Sequence, residues 1–244
     1  MLHYIKFELK NTLGYSVGMI VGGLLPLIIV IGNFHKTKSL LENQEMAKTL
    51  FATCLPLIPL GLVILPFTIA FAKDIERGVS TRLILFGYSQ TKQMVSKFIS
   101  ITSLCLAVTF IYSVVLFNYL PLPPASLSTI INIIAGTLFL TTSFYFLSFT
   151  IAWFSKGFAI VQGIALFVYF GIGILTGTIV NFQLSGLAKQ ISKFIPFEVF
   201  RNSLIENWSK PSYEFTEQAF YFLAFLGITS LIFVIVNHLP KKFK

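Results

Sequence analysis

The sequence predicts an all-α membrane protein with six transmembrane helices, and two observations lead to this fold class. Of the 244 residues, 55% are hydrophobic and 11% are charged, less than half of the roughly 25% that a soluble protein carries. Six uncharged apolar runs also have about the 20 residues that a helix needs to cross the hydrocarbon core. A mean hydropathy of +0.83 excludes a soluble enzyme, a disordered chain and a nucleic-acid-binding module.

The six predicted spans cover residues 15–32, 49–72, 99–119, 127–154, 158–180 and 219–237. The first follows two lysines, as a signal peptide would, but its apolar run is longer and no small-residue cleavage site follows, so we expect it to be retained. The second contains Pro56, Pro59 and Pro66, which predict a kinked or broken helix because proline removes backbone hydrogen bonds. Residues 1–244 are expected to form one transmembrane domain.

The basic residues predict the orientation of these spans. Eleven of the 18 lie in the N-terminus, the segment after span two, the short connection after span four and the C-terminus, and seven lie on the opposite side. Because basic loops are retained in the cytoplasm, both termini are predicted to be cytoplasmic. The expected location is the plasma membrane, with membrane lipids around the multi-pass chain.

Two amphipathic segments are predicted to lie along the membrane rather than across it. Residues 1–13 place Leu2, Ile5, Leu9, Thr12 and Leu13 on one helical stripe, which favours an interfacial helix at the inner surface. A simple basic anchor ahead of span one is the alternative. Residues 183–208 form two short amphipathic stretches divided by a proline. We expect these two helices to lie in, or re-enter, the outer leaflet.

The segment 73–97 after span two carries charges of both signs on the cytoplasmic side. A short helix with such charges and a following apolar run suits a contact with a partner protein, whereas a solvated connector is the alternative interpretation. Its glycines permit tight turns. The residues that we expect to form the contact are Asp74, Glu76, Arg77, Gly78, Arg82 and Leu83.

Few residues suggest chemistry inside the membrane. No ionisable residue lies within a span, which argues against an ion-coupled transporter, and the three histidines are scattered outside the spans, which argues against an intramembrane enzyme. Cys54 and Cys105 lie in apolar runs and form no metal-binding pair. We therefore expect no catalytic residue and no metal site. Four polar residues in the spans could contact substrate or could simply bond neighbouring helices: Thr53, Asn132, Gln162 and Thr176. The substrate-binding residues therefore stay unassigned.

The chain resembles the ABC-2 type permeases, the membrane subunits of ATP-driven exporters. The resemblance rests on the order of spans and amphipathic segments and on a short pattern in the loop after span two. That pattern is Glu76-Arg77-Gly78, then Leu83-Ile84-Leu85, then Gly87-Tyr88-Ser89, then Lys97. Gly87 stands where proline is common in the family. In length and composition the chain is similar to small Gram-positive exporters of peptide toxins or bacteriocins, such as the exporter of phenol-soluble modulins.

The resemblance implies a function and a set of partners. Residues 74–82 would form a coupling helix that contacts a separate ABC ATPase subunit, which binds ATP and Mg. The chain itself has no GxxxxGK[ST] loop, so we expect it to bind no cofactor and to be no enzyme. A second permease copy, identical or a sister chain, would complete the exporter. The expected cargo is an amphipathic peptide; the alternatives are an exporter of drugs or lipids and a non-transporting immunity or scaffold protein.

Overall fold

The computed structural model describes residues 2–14, 19–35, 39–154, 157–179, 186–211 and 216–238. These ranges contain ten helices and no strand, which confirms the all-α prediction. In chain order the helices are α1 (Leu2–Leu13), α2 (Ile20–Asn33), α3 (Leu40–Glu76), α4 (Val79–Leu85), α5 (Gln90–Tyr119), α6 (Leu127–Phe154), α7 (Phe158–Leu175), α8 (Gly186–Phe194), α9 (Phe197–Asn207) and α10 (Thr216–His238).

Five of the helices in the described ranges are long and apolar enough to cross a membrane: α3, α5, α6, α7 and α10. α2 covers the first predicted span but is shorter, and residues 15–18 of that prediction lie outside the described residues. The fifth predicted span begins with α7 at Phe158, but its predicted end lies beyond the end of the helix. α7 ends at Leu175 because Gly177 takes a left-handed φ of 67° and the Thr178 amide donates back to the Gly173 carbonyl (3.0 Å).

α3 is the central helix of the bundle. Its most apolar stretch is 94% buried, against 11% for α10. The predicted interruption is confirmed, because a turn at Leu55 and Pro56 is followed by a π-helical stretch over Leu60–Phe67. Side chains compensate for the altered backbone: Thr68 Oγ1 and Ser148 Oγ both donate to the Val63 carbonyl (3.2 Å each), as buried irregular backbone in a membrane helix requires.

α2 crosses α3 at a contact between two glycines. A Cβ atom placed on Gly22 would lie 2.6 Å from the backbone nitrogen of Leu62, and one on Gly61 would lie 2.6 Å from the Gly22 Cα. Each glycine belongs to a π-helical stretch. The absence of side chains therefore lets the two backbones touch, as small residues do at membrane helix interfaces.

α3 and α5 both extend beyond the predicted spans. α3 begins nine residues before the predicted position 49, where Ser39 Oγ accepts the Glu42 amide (3.4 Å). α5 begins nine residues before the predicted position 99, where Ser89 Oγ accepts the Lys92 amide (3.4 Å). The apolar runs locate the hydrocarbon-crossing part of each helix, whereas these serine caps set the helix ends.

The end of the bundle that holds α8 and α9 is closed by Trp208. Its indole Nε1 donates to the Pro123 carbonyl (2.9 Å), and its ring meets Phe51 edge-on at 5.2 Å between centroids. The predicted pair of helices divided at Pro196 is present as α8 and α9, although residues 183–185 lie outside the described residues. Ile191 and Phe194 of α8 remain exposed, as in a helix at a lipid surface.

Candidate functional site

The segment after α3 folds as a compact projection between two glycine turns. Gly78 has a φ of 65° and precedes α4, and Gly87 has a φ of 84° and follows it. Left-handed backbone is costly for residues with a Cβ atom, so glycine suits both positions. The Tyr88 amide donates to the Leu83 carbonyl (3.0 Å) and closes the second turn. α4 is thus joined directly to the ends of α3 and α5.

The six predicted contact residues are brought to this projection, but they do not lie on one short helix as expected. Asp74 and Glu76 lie on the last turn of α3, because that helix continues past the predicted end of the span. Arg77 and Gly78 form the turn, and α4 carries Arg82 and Leu83.

The charged surface of the projection is formed by Glu76, Arg77 and Arg82, which are all exposed. The Arg82 guanidinium donates to the Arg77 carbonyl (2.9 Å) across the turn. At the tip, Leu85 and Phe86 are 81% and 79% exposed. The apolar run Leu83-Ile84-Leu85 was predicted to suit a contact with a partner protein, and in the described part of this chain its last residue remains uncovered.

Asp74 points into the fold instead. Its carboxylate accepts a hydrogen bond from Lys97 Nζ (2.6 Å), and the same ammonium pairs with the Glu8 carboxylate (2.9 Å). We call Glu8, Asp74 and Lys97 the ion cluster. The Lys97 and Glu8 side chains are each 6% exposed, and the cluster joins α1, α3 and α5. Burial of these charges is tolerated because each carboxylate has a close cationic partner.

α1 packs on the bundle through a face that the sequence did not predict. Tyr4, Glu8 and Thr12, spaced four residues apart, are buried, whereas Leu13 is 45% exposed and Phe7 is 60% exposed. The apolar stripe was predicted to lie on the inner membrane surface, and no contact of α1 with the bundle was predicted; in the structure α1 packs on the bundle through Tyr4, Glu8 and Thr12. That arrangement leaves apolar side chains for a lipid surface.

Further contacts hold α1 in place. Ser100 Oγ of α5 donates to the Ile5 carbonyl (3.0 Å), and the Tyr4 ring lies 5.3 Å from the Tyr88 ring. Burial raises the pKa of Tyr4 above its ordinary value, and the neighbouring Glu8 carboxylate raises it further. α1 therefore contacts both the start of α5 and the turn after α4.

Gln93, for which the sequence predicted no role, attaches α4 to α5. Its side chain is buried and its amide oxygen accepts Ser80 Oγ (2.9 Å), while its amide nitrogen donates to the carbonyls of Ser80 (3.2 Å) and Tyr88 (2.9 Å). A single glutamine in a polar stretch of sequence does not indicate such a role. Glu8 was likewise missed, although its spacing from Tyr4 and Thr12 was visible.

The polar span residues considered as substrate contacts lie elsewhere. The side-chain amides of Asn132 and Gln218 bond each other between α6 and α10 (2.7 and 3.3 Å), and Thr176 Oγ1 donates to the Ile172 carbonyl (2.7 Å). Thr53 is half-buried on α3 and Gln162 is exposed on α7. The structure does not bring these four residues together into one site.

The comparisons with known proteins agree with this architecture. Residues 32–238 match the family model described as ABC-2 family transporter protein, whereas no curated protein matches the chain. Permease domains of this family typically lack an ATPase domain and generally pair with an ABC ATPase subunit. With most of its length matched and five apolar helices long enough to span a bilayer, the chain belongs to the ABC-2 transporter family as a multi-pass membrane permease component.

Proposed function

We propose that this permease forms six spans with both termini in the cytoplasm and that it exports amphipathic peptides from the cell or its membrane. A separate ABC ATPase subunit binds ATP and Mg and supplies the energy. A second permease copy, identical or a sister chain, completes the transport path. The apolar outer faces of α7 and α10, with Phe167 79% and Phe220 67% exposed, are available to that copy and to lipid.

The observation that carries the proposal is the exposed tip of the projection. Leu85 and Phe86 extend from one end of the bundle, with the charges of Glu76 and Arg82 beside them. Large exposed apolar side chains rimmed by polar ones are typical of protein interaction sites. Eleven basic residues are assigned to this side of the membrane, which supports a cytoplasmic location, where an ATPase is available.

The connections of α4 suggest how the ATPase acts on the permease. Short glycine turns join α4 to α3 and α5, and Gln93 bonds it to α5, so a displacement of α4 moves the ends of both long helices. α3 passes through the centre of the bundle, and its proline-containing π-helical stretch provides a place where it can bend. Closure of the ATPase would thus shift the population between inward-facing and outward-facing states.

The apolar character of the spans suits an amphipathic cargo. The six predicted spans contain no Asp, Glu, Lys or Arg, and aromatic side chains pack against one another within the bundle. Such surfaces offer no relay for a coupling ion but suit a molecule that is itself partly apolar. An amphipathic peptide fits this description and the resemblance to small peptide exporters.

Co-purification of the tagged chain from native membranes tests the proposal. We expect an ABC ATPase to co-purify with the wild-type chain in mild detergent, and its recovery to fall sharply with Leu85→Glu and with Glu76→Arg. Leu41→Glu is the matched control, because Leu41 is 74% exposed at the opposite end of the bundle. It should leave the recovery unchanged.

Two outcomes would contradict the proposal. If no ATPase accompanies a chain that remains folded and monodisperse, the chain acts without one, as an immunity or scaffold protein would. If the ATPase is recovered equally with Leu85→Glu and Leu41→Glu, the projection is not the contact surface.

A further inference from the structure

A cavity of about 590 Å³ lies beneath α4. Its walls come from the end of α3, from α4, from the first turns of α5 and from the region where α6 ends and α7 begins. This volume falls within the range of about 300–1,000 Å³ that is usual for small-molecule sites. The cavity lies at the end of the bundle that holds the projection and is separate from the exposed tip.

One wall of the cavity is a row of aromatic rings. The Phe71 and Phe149 rings lie 4.6 Å apart between centroids, and Phe149 stacks on Trp153 at 5.8 Å. Val161 and Ala152 complete this wall. The row provides apolar surface for a ligand body, and the ring faces attract a cation; Lys97 Nζ already lies 5.8 Å from the centre of the Phe71 ring.

The rim of the cavity is polar and carries one exposed carboxylate, that of Glu76. Among the described charged residues, only Glu76 and Lys97 line the cavity. The Lys97 ammonium pairs with two carboxylates, those of Glu8 and Asp74, so the ion cluster has a formal charge of −1. Glu76 is exposed, and in the described ranges it forms no ion pair. Because Lys97 is already paired, the charge that a ligand at this rim can reach is the Glu76 carboxylate.

We propose that this cavity is a binding site for an amphipathic cation, whose apolar body lies on the aromatic row and whose positive group faces Glu76. The proposal rests on the exporter function and specifies the charge of the cargo. The ligand is either a small lipophilic cation or the lysine-bearing apolar segment of a peptide. Because α4 forms one wall, the occupied cavity contacts the same helix that we assign to the ATPase.

Equilibrium binding to the full chain in nanodiscs of zwitterionic lipid tests the site. The probes are tritiated tetraphenylphosphonium and tetraphenylborate, which have nearly the same shape and opposite charge. We expect saturable binding of one tetraphenylphosphonium per chain and at least about tenfold weaker binding of tetraphenylborate, because the rim attracts one ion and repels the other.

Variants separate the two parts of the site. Val161→Phe fills the cavity and should weaken phosphonium binding about tenfold or more. Glu76→Gln should weaken it roughly two- to fivefold, as for a partly exposed charge pair. Arg77→Gln is the matched control: it removes a neighbouring charge that does not line the cavity, and it should leave binding unchanged or slightly stronger.

Equal binding of the two ions, or wild-type affinity in both Val161→Phe and Glu76→Gln, would overturn the proposal. If Val161→Phe fails to give a monodisperse protein, Ala152→Phe replaces it, and the Glu76→Gln result decides independently. Competition by an amphipathic lysine-containing peptide would assign the site to peptide cargo; saturable phosphonium binding without competition would assign it to small lipophilic cations. Co-purification of an ATPase from the same preparations tests the exporter function separately, so that function can be supported even if this cavity binds no cation.

Discussion

Replacement of Lys97 by methionine removes the cation from the ion cluster and leaves the Glu8 and Asp74 carboxylates without a partner there. The side chains of these acids are 6% and 20% exposed. Lys97 donates to them at 2.9 and 2.6 Å, and hydrogen bonds to charged groups contribute about 1.5–3 kcal/mol each. Removing one partner of a buried ion pair costs about 3–5 kcal/mol. Because Asp74 is partly solvated, we expect the free energy of unfolding to fall by about 3 kcal/mol, the lower end of this range.

Three further variants distinguish a charge effect from a packing effect. Glu8→Gln and Asp74→Asn each leave Lys97 with one carboxylate and should cost about 1–2 kcal/mol. The triple variant E8Q/D74N/K97M contains no uncompensated buried charge and should regain much of the loss caused by K97M alone. A triple variant that is more stable than K97M would show that the loss is electrostatic, because losses of packing would add up with each substitution.

The assay has a global and a local readout. Unfolding in mixed micelles, followed by circular dichroism, gives the free energy of unfolding for each variant. Hydrogen exchange of the α1 amides reports whether α1 separates from α5, which we expect in K97M before global unfolding. A K97M protein within about 0.5 kcal/mol of wild type, with α1 equally protected, would refute this account, as would a triple variant less stable than K97M.

Three other predictions concern packing and titration. Gly61→Ala places a Cβ atom 2.6 Å from the α2 backbone and should cost about 1–3 kcal/mol by overpacking, whereas Gly32→Ala, with no neighbour within 4 Å, should be neutral in the same unfolding assay. The pKa of Tyr4 is raised, so its phenol should stay protonated at pH 10. Its contribution to the free energy of unfolding should decline only as the pH rises above 10. A titration midpoint near 10 in the 295 nm absorbance difference between wild type and Tyr4→Phe would contradict this prediction. Trp208→Phe loses one buried hydrogen bond and should lower the free energy of unfolding by about 1–3 kcal/mol, and an unchanged value would show that the indole bond contributes nothing.

The apolar runs predicted the helices that cross the membrane but not where those helices end. Hydrophobicity reports the length of chain in hydrocarbon, whereas the start of α5 is set by the Ser89 cap and the end of α3 by Gly78. The prediction for residues 73–97 correctly placed glycine turns and exposed charges. It assigned Asp74 to the partner surface, because a local charge pattern does not show which carboxylate faces a lysine 23 positions away.

The ion cluster and the cavity could not be predicted because both depend on contacts between distant segments. Glu8 and Lys97 are separated by 89 positions, and each is an ordinary charged residue in its own segment. The aromatic row joins Phe71 to Phe149 across two spans, where aromatic residues are most often read as lipid-facing. Tertiary packing brings these groups together, and the periodicity of residues within one helix does not indicate which other helix they contact.

Cross-linking from the tip of the projection tests most directly whether this permease is driven through α4. The two native cysteines, Cys54 and Cys105, are buried, so Phe86→Cys supplies an accessible thiol, and Leu41→Cys supplies the matched thiol at the opposite end. In native membranes treated with a short bismaleimide, we expect Phe86→Cys to give a covalent adduct with an ABC ATPase, identified by mass spectrometry, and Leu41→Cys to give none. A monofunctional maleimide is used to check that the Phe86→Cys thiol is reactive. If that thiol reacts readily but gives no ATPase adduct, the proposal that the ATPase acts through α4 is contradicted.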